Sequence, residues 1–172
     1  MKVRWLGGAA VVVALALLAG DVSAAPSVFR VARVIDGDTI ELGSGQRVRL
    51  VQIDTPEVYG GYECYGRGAS TTAKRLLAVG TRVRLLLEPT SDPVDRYGRL
   101  LRYVVRVSDG VNVNVHLVRL GAATPWFYDG QRGRYAAKLD ALARQARAKR
   151  LGLWGACPRT VYDPYSAVTT RR

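Results

Sequence analysis

Apolar and polar residues alternate in short runs through the front half of the chain and recur at helical spacing in the rear half. Val28 to Val34 is β-branched and apolar, interrupted by Arg30 and Arg33, and Thr39 to Leu42 is a second short run. Gly43-Ser44-Gly45 between the next two runs supplies the positive φ that a hairpin needs. Gln46 to Ile53 alternates polar or charged residues with Val48 and Leu50, the pattern of a half-buried strand. Arg82 to Leu87 and Leu100 to Val107 are two more such runs. Five short strands separated by turn signals predict a small closed or half-closed barrel. Helical spacing places Ala69, Ala73, Leu76 and Leu77 on one face over Gly68 to Leu77. It is clearest in Gln131 to Arg150, where Tyr135, Leu139, Leu142 and Ala146 recur four, three and four apart. Val113 to Leu120 fits a short helix or a strand. Gly152 is a helix stop, and Trp154 beyond it is expected to pack back on the core.

The two ends of the chain do not follow these patterns. Met1 to Arg4 is a short positive head, Trp5 to Gly20 an apolar run of 16 residues, and Val22-Ser23-Ala24 a set of small residues suited to cleavage. That layout is a secretory signal peptide, and the run is shorter than the roughly 20 residues of a membrane span. An uncleaved anchor is the alternative. The expected organisation is a signal peptide over 1–24, one domain over 25–157 and a flexible tail over 158–172 that has no periodicity. The mature protein is expected to be exported, extracellular or periplasmic, without stable membrane insertion after cleavage. Cys64 and Cys157 lie in the mature part, and two cysteines in an exported chain favour one disulfide over two free thiols.

Charge adds a partner class. The chain carries 26 Lys+Arg against 14 Asp+Glu, a formal net charge of +12. Removing Lys2, Arg4 and Asp21 with the head leaves +11. Such an excess calls for an acidic partner: nucleic acid, an anionic membrane or an acidic glycan. A single histidine, His116, excludes sites built on two or more catalytic histidines and His-rich zinc sites. His116 stands among Val115, Leu117 and Val118 and reads as structural.

Acidic residues are scarce, so their clustering needs a reason. Asp36-Gly37-Asp38-Thr39 and Ile53-Asp54-Thr55-Pro56-Glu57 put four carboxylates into two turns. Gathered carboxylates repel one another, and a hard divalent cation with an oxygen shell relieves that repulsion. Pro56 biases Thr55 toward an extended backbone, fixing the direction of the Thr55 carbonyl. Each turn alone is explained as hairpin or loop-cap chemistry; the pair together is better explained by a metal. Arg49 precedes Asp54 by five residues, and Asp95-Arg96-Tyr97-Gly98-Arg99 is a turn entering the last long strand. Arginine forks match phosphate oxygens, so carboxylate-held metal, a spare carboxylate as base and two arginines make a kit for phosphodiester hydrolysis. Strict strand parity places Arg49 and Asp54 on opposite faces. A shared site therefore requires a bend, a bulge or an early end to the strand.

These motifs together resemble the staphylococcal nuclease, or thermonuclease, family. The matching segments are Val34-Ile35-Asp36-Gly37-Asp38-Thr39, Val48-Arg49-Leu50, Ile53 to Glu57, Asp95 to Arg99, Val113-Asn114 to Gly121, and Leu151-Gly152-Leu153-Trp154. The resemblance implies an α+β, mainly β fold: a five-stranded OB-fold barrel with about three helices. It also implies a Ca²⁺-dependent nuclease on DNA and RNA that cleaves the bond to the 5′ oxygen and leaves 3′-phosphates. In this likeness Asp38 and Asp54 are metal ligands, Thr55 gives its carbonyl, and Asp36 stands behind them. Glu57 orients or deprotonates the attacking water, Arg49 and Arg99 hold the scissile phosphate, and Arg96 and Tyr97 contact a neighbouring phosphate or the nucleoside. The enzyme is expected to act as a monomer. Two departures stand out. Gly68 replaces the family's usual glutamate at the start of the first helix. The family's stacking tyrosines fall near Trp126-Phe127-Tyr128, which either stack bases or belong to core and rim. The loop from Val58 to Cys64, with Tyr59 and Tyr62, is a candidate lid.

A reading from another class is a non-catalytic secreted OB module that binds single strands. Such a binder needs the arginines but has no use for Asp38, Asp54 and Glu57, which repel phosphate. A cationic membrane-active protein ranks last, because no amphipathic helix has a bulky apolar face.

Overall fold

The computed structural model describes residues 27–59 and 63–170. The expected signal peptide and the middle of the Val58–Cys64 loop lie outside the described residues. Seven strands and four helices follow in the order β1 (Val28–Val34), β2 (Thr39–Leu42), β3 (Arg47–Leu50), β4 (Ile53–Asp54), α1 (Gly66–Leu76), β5 (Arg82–Leu87), β6 (Leu100–Arg106), α2 (Val113–Arg119), β7 (Thr124–Pro125), α3 (Ala136–Ala148) and the single turn α4 (Leu153–Ala156).

Five strands close into a barrel in the order β1-β2-β3-β6-β5. Every pairing is antiparallel except β3 with β6, which is parallel, and the register of β1 on β2 shifts between Val31 and Arg33. The alternation read from the sequence fills the barrel with Val31, Ile40, Leu42, Val48, Leu50, Val83 and Val104, to which Leu117, Phe127 and Leu139 add a helical layer. The fold is thus the α+β, mainly β, five-stranded barrel with three helices of more than one turn.

The ambiguous segment Val113–Arg119 is helical for a local reason. The Asn112 side chain accepts a hydrogen bond from the Val115 amide, an N-cap that starts the helix. Two residues after the cap, fully buried Asn114 accepts from Val104 N at 3.0 Å and donates to the carbonyls of Val51 and Arg102 at 2.9 and 3.2 Å. It stitches α2 to β6 and to the end of β3.

The rear of the domain is closed covalently. Cys64 and Cys157 form a disulfide with a Cα–Cα distance of 5.9 Å, beside Trp154, Leu153 and Ala146. Gly121 and Gly152 approach so closely that a Cβ on Gly152 would stand 2.2 Å from the Gly121 carbonyl oxygen, which fixes glycine at that contact.

The segment after Cys157, expected to be mobile, makes defined contacts throughout its described length. Val161 pairs with Thr169, Pro164 accepts from the Phe127 amide, and Val168 and Thr170 are buried. Its residues are held by scattered side-chain and backbone contacts, which have no periodicity for a sequence pattern to reveal.

Candidate active site

The parity conflict between Arg49 and Asp54 is resolved by the backbone. Strand β3 stops at Leu50, and Val51 and Gln52 form a turn in which Gln52 adopts φ 66° before β4 resumes at Ile53. That left-handed conformation is costly for a residue with a side chain. It is held in place by three partners: Gln52 donates to the Gln131 carbonyl at 2.7 Å, accepts from Gly133 N at 2.9 Å, and its own carbonyl accepts from Trp126 N at 3.0 Å. Arg49 Nη1 completes the turn by donating to the carbonyls of Leu50 and Ile53.

The consequence is a buried cluster. Arg49 Nη1 lies 2.7 Å from Asp38 Oδ2 and Nη2 lies 2.7 Å from Asp54 Oδ1, so one guanidinium bridges carboxylates from two turns. Asp38 Oδ2 also accepts from Thr55 N at 3.0 Å and Thr55 Oγ1 at 2.9 Å. Asp36 Oδ1 accepts from Asp38 N and Thr39 N and shapes the turn that presents Asp38. Gly37 has to be glycine, since a Cβ there would sit 2.5 Å from Thr55 Oγ1. Thr55 therefore locks the first acidic turn against the second.

Burial disfavours the charged forms of the carboxylates in this cluster. Burial, reinforced by Asp36 and Asp54, pushes the Asp38 carboxyl up to about 7 against the opposing pull of Arg49. Burial likewise raises Asp54. Glu57 is raised by burial first and then by Asp36 and Asp54. Glu57 itself is exposed, and its amide donates to Glu63 Oε2 at 2.9 Å. Among the described residues no three His, Cys, Asp or Glu side chains are arranged as a metal site. Arg49 stands between the two carboxylates that the sequence nominated as ligands.

Arg49 also faces a cavity of about 310 Å³, lined in part by Arg96, Tyr97, Arg99, Trp126 and Tyr128. The Asp95–Arg99 turn is built around Asp95, whose Oδ1 accepts from Tyr97 N and Arg99 N and whose Oδ2 accepts from Arg99 Nε at 2.6 Å. Burial opposes ionisation of Asp95, but these bonds prevail and hold its carboxyl below the usual range. Tyr97 is 68% exposed, with the guanidinium carbons of Arg96 and Arg99 at 4.9 and 5.3 Å from its ring centroid.

The aromatic triplet divides. Phe127 is fully buried and belongs to the core, whereas Trp126 and Tyr128 line the cavity, with Arg49 Cζ 5.7 Å from the Trp126 ring. His116 lies on α2 against Arg119 Nη2 at 3.0 Å and contacts none of the carboxylates above. Gln52 is a positioning residue that the sequence did not flag; a polar residue at the break between two strand runs was its only signal.

Carboxylates that share one buried arginine stand beside a cavity lined by two further arginines, on a small barrel, an arrangement suited to a phosphate ester. The comparisons with known proteins agree. A family model described as staphylococcal nuclease homologue matches residues 47–156. The chain is similar to an uncharacterized endonuclease of Escherichia coli O157:H7, 41% identical over 130 residues that cover 73% of this chain and 75% of the relative. It is also similar to the thermonuclease of Staphylococcus intermedius, 36% identical over 132 residues with 73% and 75% covered, and to that of Staphylococcus hyicus, 33% over 142 residues with 79% and 80% covered. The chain belongs to the staphylococcal nuclease family. It is a nuclease, a hydrolase of nucleic acid, and the reading as a non-catalytic binder is set aside.

Proposed function

We propose that this nuclease is secreted, depends on Ca²⁺, acts as a monomer on both DNA and RNA, and leaves 3′-phosphates. The observation that carries the reading is Arg49, which touches Asp38 and Asp54 at 2.7 Å and lines the cavity that also holds Arg99. In this assignment Asp38, Asp54 and the Thr55 carbonyl hold the cation. The donors are all oxygen, which suits Ca²⁺ better than Zn²⁺. Burial holds the Asp38 carboxyl up despite the Arg49 guanidinium beside it. When bound, Ca²⁺ supplies the positive charge that this cluster and an incoming phosphate both require.

The protein's own groups do the rest. Arg49 and Arg99 grip the scissile phosphate and take up the charge that builds on its oxygens as water adds to phosphorus. Glu57 orients that water and receives its proton, while the bond to the 5′ oxygen breaks and the leaving oxygen is protonated. Arg96 and Tyr97 hold a neighbouring phosphate or nucleoside, and Trp126 and Tyr128 offer faces on which bases stack. Export is supported by the Cys64–Cys157 disulfide. No helix among the described residues is long and apolar enough to cross a membrane.

The test is digestion of end-labelled single- and double-stranded DNA and RNA by the wild-type protein and Glu57→Gln, with the product ends mapped. The expected result is cleavage of both sugars to 3′-phosphate ends, slowed at least a hundredfold by the substitution, on the scale of general-base catalysis. 5′-phosphate ends, or full activity of Glu57→Gln, would contradict the assignment.

A further inference from the structure

The family match ends at residue 156, yet the chain beyond it returns to the carboxylate cluster. The amide of Val168 donates to Asp54 Oδ2 at 2.8 Å, a buried bond between residues 114 apart in sequence. Asp54 and Val168 are each 6% exposed. Since Oδ1 of the same carboxylate is bound by Arg49, the two oxygens of Asp54 are held from opposite partners. We propose that the C-terminal segment is a positioning element of the active site, in which the Val168 N–H sets the rotation of the Asp54 carboxylate. The inference rests on the reading of Asp54 as a metal ligand.

Asp54 needs such a support. It ends a strand of two residues, β4, whose only strand partner among the described residues is the equally short β7. A charge-assisted bond to a fixed amide gives the carboxylate one orientation, where the strand alone would leave its side chain to rotate. The donor is itself anchored on both sides. Thr170 Oγ1 donates to the Cys64 carbonyl at 2.7 Å, and Val161 pairs with Thr169. Upstream, Phe127 N donates to the Pro164 carbonyl, Arg132 Nη1 donates to Tyr165 Oη at 3.2 Å, and Tyr162 packs edge-on against Trp154. The described part of the segment starts beyond Cys157 and reaches Cys64 through Thr170, so it is tied to both halves of the disulfide.

Val168→Pro in the full chain removes the N–H, while Val168→Ala keeps it. Calorimetric Ca²⁺ binding without substrate and separate kcat and KM values on a single-stranded oligonucleotide are the readouts, with Asp54→Asn as a marker of the site. Val168→Pro is expected to weaken Ca²⁺ binding and to lower kcat by about tenfold each, the scale of one hydrogen bond to a charged group, with KM within about twofold. Val168→Ala is expected to recover most of both losses. If Val168→Pro unfolds by circular dichroism, a chain ending at Thr160 takes its place, with the same expected losses. Wild-type Ca²⁺ binding and turnover in the folded variant, beside an inactive Asp54→Asn, overturns the proposal and leaves the site intact. Wild-type Ca²⁺ binding and turnover in Asp54→Asn overturns both.

Discussion

Arg49 is 8% exposed and its guanidinium contacts two buried carboxylates, so it ties the two acidic turns together. Removing one partner of a buried ion pair strands the other charge, at a cost of about 3–5 kcal/mol. Arg49→Ala is therefore expected to lose stability of that order in urea unfolding, in addition to activity. A loss under about 1 kcal/mol, the worth of an exposed pair, would show that water reaches the cluster. Arg99 differs, because its carboxylate partner Asp95 lies in its own turn and its guanidinium lines the cavity. Arg99→Lys keeps the charge but loses the fork. Its kcat is expected to fall by about 10³–10⁵, by analogy with other phosphate-clamping arginines, with KM changing little. A rise in KM at normal kcat would make Arg99 a docking residue only. At this scale the sequence singled out Asp38, Asp54, Arg49 and Arg99, because each sits in a short motif. It concealed Val168, whose contribution is a backbone amide 114 residues from its partner and independent of side-chain identity.

Turns, more than strands, position this site. Gly37 and Thr55 interlock the two acidic turns, so Gly37→Ala is expected to force Thr55 and Asp38 apart. Overpacking of this kind costs about 1–3 kcal/mol, and kcat should fall with stability. Unchanged kcat in a folded Gly37→Ala protein would show that the turns adjust independently. Glu88, 2% exposed, ties the chain after β5 to the approach of α3, accepting from Arg134 N at 2.9 Å and Tyr103 Oη at 3.2 Å. Burial disfavours its charge, but these bonds together with those from Thr90 hold its carboxyl below the ordinary 4.5. The stability it contributes is full above about pH 4.5 and is lost as pH falls through the depressed folded value. Glu88→Gln should melt below wild type at pH 7, with the gap closing under acid; a gap that widens toward pH 3 would reverse the sign. The barrel strands were legible because one face of each is apolar. The β3–β4 break was not, because Gln52 holds its left-handed turn through tertiary bonds to residues 126–133. Nor was the helical state of Val113–Arg119, a segment too short for its period to show, in which Val113, Val115 and Leu117 also alternate with polar residues as in a strand.

The whole molecule joins a basic surface to a covalently closed rear. With a formal net charge of +12, DNA binding by a turnover-deficient variant should weaken steeply with salt as fewer counterions are released. Salt-independent affinity would place the docking face elsewhere. The disulfide spans 93 residues, and reducing it is expected to cost about 2–5 kcal/mol of stability. The central claim is that Asp38 and Asp54 hold a hard cation without which the nuclease does not turn over. It is tested most directly by following cleavage of a labelled oligonucleotide in EDTA and then on adding back Ca²⁺ or Zn²⁺, for wild type and Asp38→Ala. Cleavage should cease in EDTA, return with Ca²⁺ more fully than with Zn²⁺, and fail to return in Asp38→Ala at the same Ca²⁺ concentration. Full cleavage by wild type in EDTA, or an unaltered Ca²⁺ requirement in Asp38→Ala, would contradict it.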